Sequence, residues 1–587
     1  MECEASLKNS AAILILLTIF SHVNSWYFKC ENGFCIRNAD PNDKSNYPTL
    51  ELCSLVCSSF HNVWPQPTGK MASLKNIVRI NPNKIEIKLN GPPGTDHFIA
   101  DNILHFSKKL KKEEPYNCTE KVYPLKIILT PKSNNPHLDL NTNESYTLEI
   151  IYEDDTITAS INAYSIFGIR HGLETLFQLI IPYEDGNQKC IATLSYVYIS
   201  DKPVYKHRGL LLDTGRNFLS VDTIKRHLDG MAASKLNVLH WHITDSQSFP
   251  LEVGRLPNMT KYGAYSEKHI YSESAIKDLL QYANRRGVRI LPEIDAPSHA
   301  GNGWQWGEEA GLGNLAVCIN RQPWRSFCIQ PPCGQLNPTN QNLYSVLKDL
   351  YSHMRDHFPD TGMFHMGGDE VFIPCWNSTQ EIIDYLRGKP LTTETFLDLW
   401  GEFQRKALAA YDRAFEHEDT SIVVWTSHIT QPEVIRKYLS NERYIIQTWV
   451  PESNINLITE LLKLEYRVII STKDKWYLDH GFWGSTLYYN WKTVYENKMY
   501  KYNHEGILGG EVCMWGELVD DNNIDSRVWP RAAAAAERLW SNPRSTAEFA
   551  QYRFFAQRKR LVDLGIHAEA LTPKWCVDSQ GECKTYL

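Results

Sequence analysis

Hydrophobic and polar positions keep two different rhythms in the two halves of this chain. In the first, Lys84-Ile85-Glu86-Ile87-Lys88-Leu89 and Tyr146-Thr147-Leu148-Glu149-Ile150 alternate, the two-residue period of a half-exposed strand. Between Ser165 and Ile180 the apolar residues Ile166, Ile169, Leu173, Leu176, Phe177 and Ile180 recur at helical spacing. Together they predict a small α+β domain over 66–204, with Pro203 marking its end.

Beyond Pro203 short apolar runs alternate with helical stretches. Eight strands are predicted, at 209–213, 237–242, 288–293, 363–366, 422–425, 444–449, 468–471 and 507–512. Amphipathic helices fall between most of them, as at 222–234, 272–286 and 341–357. β-then-α units in this number predict an α/β fold, a (β/α)8 barrel over 205–587 including the C-terminal tail. The competing doubly wound sheet would carry a glycine-rich phosphate turn, which the sequence lacks.

Two segments precede these domains. Lys8, the apolar run Ala11–Phe20 and small residues at Val23 and Ser25 read as a signal peptide over 1–25, cleaved before Trp26. Residues 26–65 form a polar, cysteine-bearing lead ending at Trp64-Pro65. No later run offers ~20 uninterrupted apolar residues, so no membrane span is expected in the mature chain. The expected destination is outside the cell or in the lysosome, through the secretory pathway. Asn117, Asn143, Asn258 and Asn377 stand in Asn-x-Ser/Thr acceptors and are the expected glycosylation sites.

The fourteen cysteines agree with that compartment. Removing Cys3 with the signal peptide leaves an odd number. Cys30, Cys35, Cys53 and Cys57 cluster, Cys328 and Cys333 enclose one short loop, and Cys576 and Cys583 another. Cys513, inside the apolar stretch 507–515, is the expected free thiol. Paired C-x-x-C and H-E-x-x-H patterns are missing, so no metal is expected.

Composition narrows the chemistry. Charged residues are 22% of the chain and its net charge is −7, which excludes the electrostatic footprint of a nucleic-acid binder. Aromatic residues reach 12%, and aromatic faces suit flat apolar surfaces such as a sugar ring. A barrel carries its chemistry at the C-terminal ends of its strands. Those ends bear Asp213 with Arg216, Asp245, Glu293 and Asp295 with His299, Asp369-Glu370, Trp425, Trp449, Tyr477 with Asp479, and Trp515 with Glu517. Carboxylates and tryptophans without a serine or cysteine nucleophile point to glycoside hydrolysis. Taken singly, each has a plainer explanation: a lone tryptophan is more often core, His299 a satisfied loop histidine, and Asp369-Glu370 an acidic helix start. On an extended chain, neighbouring residues also point opposite ways, so Asp369 and Glu370 are expected to serve different ends.

Phe364-His365-Met366-Gly367-Gly368-Asp369-Glu370, with His207-Arg208-Gly209-Leu210-Leu211-Leu212-Asp213-Thr214-Gly215-Arg216 before it and Trp515-Gly516-Glu517 after it, resembles glycoside hydrolase family 20. These are the β-N-acetylhexosaminidases, and the pattern is similar to insect-type members. The resemblance covers 205–575 and the preceding α+β domain. It implies Glu370 as acid/base, Asp369 orienting the substrate's 2-acetamido group, and Tyr477 holding the acetamido oxygen. It implies Trp425, Trp449 and Trp515 as pocket walls, and Arg216, Asp479 and Glu517 as partners of sugar hydroxyls. Asp245 and His299 become a pair behind the acid.

The activity so implied is exo-hydrolysis of terminal N-acetylglucosamine, with N-acetylgalactosamine as a second substrate, from chitooligosaccharides or glycans. It is retaining, substrate-assisted and free of cofactors. A homodimer is left open. Set against the chitin-degrading insect members of that family, the loop 479–491 looks shorter, and Gln330 stands where the resemblance implies a glutamate. Trp324, Trp483 and Trp491 are the candidates for a second-sugar surface. The rival readings are a silent glycan-binding protein on the same scaffold and a retaining endo-chitinase, whose D-x-x-D-x-D-x-E run the sequence lacks.

Overall fold

The computed structural model describes residues 26–583, apart from 41–42, 44, 113–114, 360–361, 417–418, 500–503 and 581–582. The expected signal peptide lies outside the described residues.

A closed eight-stranded parallel barrel forms the larger part. Its strands are β1 (His207–Asp213), β2 (Val238–Thr244), β3 (Arg289–Ile294), β4 (Met363–His365), β5 (Ser421–Trp425), β6 (Tyr444–Thr448), β7 (Arg467–Ile470) and β8 (Ile507–Met514), paired in that order, with β8 closing on β1. All eight coincide with the apolar runs in the sequence. The helices Val221–Ala233, Glu273–Arg285 and Gln341–His357 also fall where the periodicity places them. Ser220, Ser272 and Asn340 start them, each side chain accepting a backbone N–H of the first turn.

The barrel interior is layered. At the N-terminal end of the strands Val238, Leu291, Met363, Val423, Ile445, Ile469 and Leu508 form a small apolar plug. At the other end Leu211, Trp425, Tyr477 and Cys513 cluster, with Trp449 and Trp515 packed against them. Between them the wall is polar, with His240, Glu293, His365, Gln447 and Glu511 fully buried. Gly209 makes room for one of these: a Cβ there would stand 2.3 Å from Glu511 Cγ.

The preceding sheet has six strands, between Met71 and Asp201, with the long strand Met71–Leu89 pairing with Gln188–Asp201 along one stretch and Tyr123–Pro131 along the other. The helix Ile166–Leu179 is buried along almost its whole length. Charged groups join this sheet domain to the barrel: Arg208 to Glu144 at 2.7 Å, and Lys235 to Asp201 at 3.1 Å.

The N-terminal segment is a three-stranded sheet with the helix Leu50–Cys57, held by Cys30–Cys57 and Cys35–Cys53. Cys118–Cys190, Cys318–Cys375, Cys328–Cys333 and Cys576–Cys583 complete the bonds, and Cys513 is a free, buried thiol. Among the described residues no helix is long and apolar enough to cross a membrane. Asn117, Asn143 and Asn377 are exposed and Asn258 is half-buried.

Candidate active site

The site gathers at the C-terminal ends of the barrel strands. After β4 the chain runs Gly367 (φ 62), Gly368 (φ 86), Asp369 and Glu370 (φ 51). Gly367 is required: a Cβ would lie 1.8 Å from Asp295 Oδ1, which accepts the Gly368 N–H at 2.9 Å. Glu370 holds a left-handed backbone without being glycine, a conformation that costs energy and collects at working sites. His299, which faces it, does the same at φ 53.

These turns overturn the extended-chain expectation. Asp369 and Glu370 do not point apart but meet one imidazole: His299 Nε2 lies 3.4 Å from Glu370 Oε2 and 4.0 Å from Asp369 Oδ2. On its other side His299 Nδ1 lies 3.3 Å from Asp245 Oδ1. Burial alone would push this imidazole down, but Asp245, Glu370 and Asp369 reverse that and hold it well above the ordinary histidine range. Burial pushes Asp369 up to about 6, with His299 opposing and Glu370 adding. Glu370 is shifted the other way: burial is outweighed by the His299 hydrogen bond and charge, then by Arg216 and Lys473, so it lies below its ordinary value.

Trp425, Tyr477, Trp449 and Trp515 belong to one cluster, with Trp425 and Trp515 centroids 5.8 Å apart. Trp425 is 1% exposed and its Nε1 donates to Glu293 Oε1 at 2.7 Å. Trp449 and Trp515 are half-buried. Trp449 is fixed by donation from Nε1 to Thr426 O at 2.7 Å, and Arg216 lies over the Trp515 ring at 5.1 Å.

The rim is a chain of polar contacts. Arg216 bonds Asp245 Oδ2 at 2.9 Å and Asp213 Oδ2 at 3.2 Å, and donates to Gln330 Oε1 at 3.0 Å. Gln330 Nε2 donates to Glu517 Oε1 at 2.8 Å. Asp479 accepts from Trp483 Nε1 at 2.9 Å, and burial together with the Glu517 charge raises its carboxyl to about 7. Asp369 Oδ1, Asp479 Oδ1 and Glu517 Oε2 are buried and have no partner among the described residues. Three buried acceptors left over beside one aromatic cluster suit the N–H and hydroxyl donors of a sugar. Asp295, His299 and Asp369 stand close enough together to ligate a cation, as do His242, Asp245 and Asp295. Of these, Asp245 is already engaged by Arg216 and Asp295 by the Gly368 amide.

The predicted site residues thus come together. The second-sugar candidates separate. Trp491 is buried against Phe554, centroids 4.7 Å apart, because it starts the helix Trp491–Tyr495 that packs inward, so it offers no sugar surface. Trp324 is half-buried on the segment leading into the Cys328–Cys333 loop. Trp483 is 41% exposed beside Asp479. Sequence reasoning assigned no role to His242 or Glu293; the signal was a histidine pair at i and i+2, His240 and His242, inside an otherwise apolar strand.

A closed parallel barrel with paired carboxylates and an aromatic pocket at its strand ends defines a glycoside hydrolase. The profile of glycosyl hydrolase family 20, catalytic domain, matches residues 205–543, and a profile described as beta-acetyl hexosaminidase like matches 63–179. The chain belongs to glycoside hydrolase family 20, the β-N-acetylhexosaminidases. It is 40% identical to a chitooligosaccharidolytic beta-N-acetylglucosaminidase of Ostrinia furnacalis over 97% of this chain and 98% of that one. A protein of the same description from Bombyx mori is 41% identical, over 95% of each chain. Among solved structures, the Flavobacterium johnsoniae chitobiase superposes with TM-score 0.69 at 27% identity, covering 86% of this chain and 73% of that one.

Proposed function

We propose that the protein removes single terminal N-acetylglucosamine residues, and N-acetylgalactosamine as well, from the non-reducing ends of chitooligosaccharides or glycans. The observation that carries this is the meeting of Asp369 and Glu370 at His299, beside the cluster of Trp425, Trp449, Trp515 and Tyr477. Glu370 is the acid/base: it protonates the leaving oxygen and later draws a proton from water. Asp369 receives the acetamido N–H on its unpartnered Oδ1 and turns the acetamido oxygen toward the anomeric carbon, with the Tyr477 hydroxyl holding that oxygen. Attack from within the substrate retains configuration, needs no enzyme nucleophile and gains from prepaid orientation. Asp245 and His299 support the acid from behind.

Arg216, Gln330 and Glu517 close the pocket, which favours exo cleavage. Asp479 beside the sugar, ionised above about pH 7, disfavours sulfated substrates there by like-charge repulsion. Six disulfides support a route through the secretory pathway, to the outside or to the lysosome. The Ostrinia and Bombyx relatives carry chitooligosaccharides in their names, which supports such substrates here. Incubation with reducing-end-labelled chitotetraose tests the whole reading. Stepwise loss of monosaccharide from the unlabelled end is expected; internal cuts would mean an endo-enzyme, and no product a silent binder.

A further inference from the structure

A TIM-type barrel usually fills its middle with branched apolar side chains. Here the middle carries an alternation of imidazoles and carboxylates, hydrogen-bonded except between His240 Nε2 and Glu293, which stand at ion-pair distance. His207 Nε2 meets Glu511 Oε1 at 2.5 Å; Glu511 Oε2 meets His240 Nδ1 at 2.8 Å; His240 Nε2 stands 3.0 Å from Glu293 Oε2; and Glu293 Oε2 meets His242 Nδ1 at 2.5 Å. His242 Nε2 then reaches Asp245 Oδ2 at 3.0 Å, Asp245 Oδ1 reaches His299 at 3.3 Å, and His299 reaches Glu370 at 3.4 Å. The five residues from His207 to His242 are at most 1% exposed.

We propose that Glu293 and His242 are positioning residues for the Glu370 acid, acting through Asp245 and His299 as the upper part of a column that starts at His207. The proposal rests on the assignment of Glu370 as acid. An ionised carboxylate only accepts hydrogen bonds, so an imidazole held between two of them donates from both nitrogens and is fixed in orientation and charge. His242 held in this way presents an N–H to Asp245, which keeps Asp245 ionised and turned toward His299. His299 is then oriented to donate to Glu370.

The flanking pattern sorts the histidines. Burial pushes every one of them down. The three that stand between two carboxylates are raised nevertheless: His240 to about 9, and His242 and His299 well above the ordinary range. His207 has Glu511 alone, with Arg289 and His240 opposing, and stays low. His365 lies beside the column with Glu293 alone, stacks on His240, accepts the Gly367 N–H at 3.0 Å, and also stays low. Other groups facing the column are Trp425 on Glu293, Gln447 on Glu511, Arg216 on Asp245 and 3.4 Å from His299 Nδ1, Cys513 near Glu511 and Glu293, Lys473 acting on Glu370, Asp213 beside His242, and Asp295 and Asp369 near His242 and Glu293.

The test is the pH dependence of kcat/KM on chitobiose. Glu293→Gln keeps the shape and removes a negative charge, which makes His242 and His299 lose protons more easily. The basic limb is expected to move to lower pH by about one unit, with KM changed less than about twofold. Glu511→Gln, two steps further from His299, should move it the same way by less. A uniform loss of activity with an unmoved limb, or a larger shift from Glu511→Gln, would overturn the proposal. A second readout needs no variant: in histidine-labelled wild-type enzyme at pH 7, NMR should find at least three imidazoles protonated on both nitrogens, and fewer would also overturn it. Near-normal turnover in Glu370→Gln would instead sink the acid assignment and leave the imidazole count standing.

Discussion

Gln330 is a carboxamide joining a cation to an anion: its Oε1 accepts from Arg216 at 3.0 Å and its Nε2 donates to Glu517 at 2.8 Å. The six-residue disulfide loop Cys328–Cys333, with Pro331 and Pro332 inside it, presents the side chain to both. A glutamate could keep the Arg216 bond but would meet Glu517 with like charge. Gln330→Glu is therefore expected to raise KM for chitobiose about tenfold while leaving kcat within about twofold, the scale of one lost hydrogen bond to a charged group. Steady-state kinetics would count against this relay if KM were unchanged.

Asp369 and Glu370 share His299 but are assigned to different ends of the reaction. Glu370→Gln should lose ~10²–10⁴-fold in kcat on chitobiose and recover much of it on an aryl glycoside with a good leaving group, where proton donation matters less. Asp369→Asn should stay slow on both substrates. Equal recovery of the two variants would contradict the division of labour.

The acid side of the pH profile should report Asp369. Its carboxyl, raised to about 6 chiefly by burial, must be ionised to accept the acetamido N–H. As pH falls through about 6 the group takes up a proton, so kcat/KM on an activated aryl glycoside should decline below that value. A profile flat down to pH 4 would show that its ionisation is not needed.

Asp479 should trade stability for binding. Its folded carboxyl lies at about 7, above the ordinary value of 3.8, because of burial and the Glu517 charge. Between these values the folded protein holds a proton that the unfolded chain has released, so the group lowers stability as pH rises through that window, and the loss persists above it. Asp479→Asn should raise Tm at pH 8, leave it nearly unchanged at pH 4, and weaken substrate binding. Thermal melts with an unchanged or lower Tm at pH 8 would refute this.

Chain length should matter little to this enzyme. Trp483 is the exposed aromatic beside Asp479, and Trp491 is lost to the core. One aromatic contact contributes ~0.5–1.5 kcal/mol beyond area burial, about tenfold at most. The rise in kcat/KM from chitobiose to chitotetraose should stay within that range, and Trp483→Ala should remove most of it. A hundredfold rise would point to a longer cleft.

The sequence by itself determined the barrel. Each strand is a short apolar run because both of its faces are buried, and that pattern is local, so residues such as Leu210–Leu212 and Ile445–Ile446 announce it without neighbours. Order along the chain then placed Asp369, Glu370, Tyr477 and Trp515 at strand ends. Only the tertiary structure decided how those ends face one another. The left-handed turns at Gly367, Gly368 and Glu370 brought two adjacent carboxylates to one histidine, where an extended chain would have parted them. Burial separated Trp483 from Trp491, two tryptophans eight positions apart in one loop. The column from His207 to Glu370 draws on β1, β8, β2, β3, the loops above β2 and β3 and the loop after β4, so no stretch of sequence holds more than a fragment of it; its alternation exists only once the barrel closes and low dielectric makes each carboxylate decide the charge of the imidazole beside it.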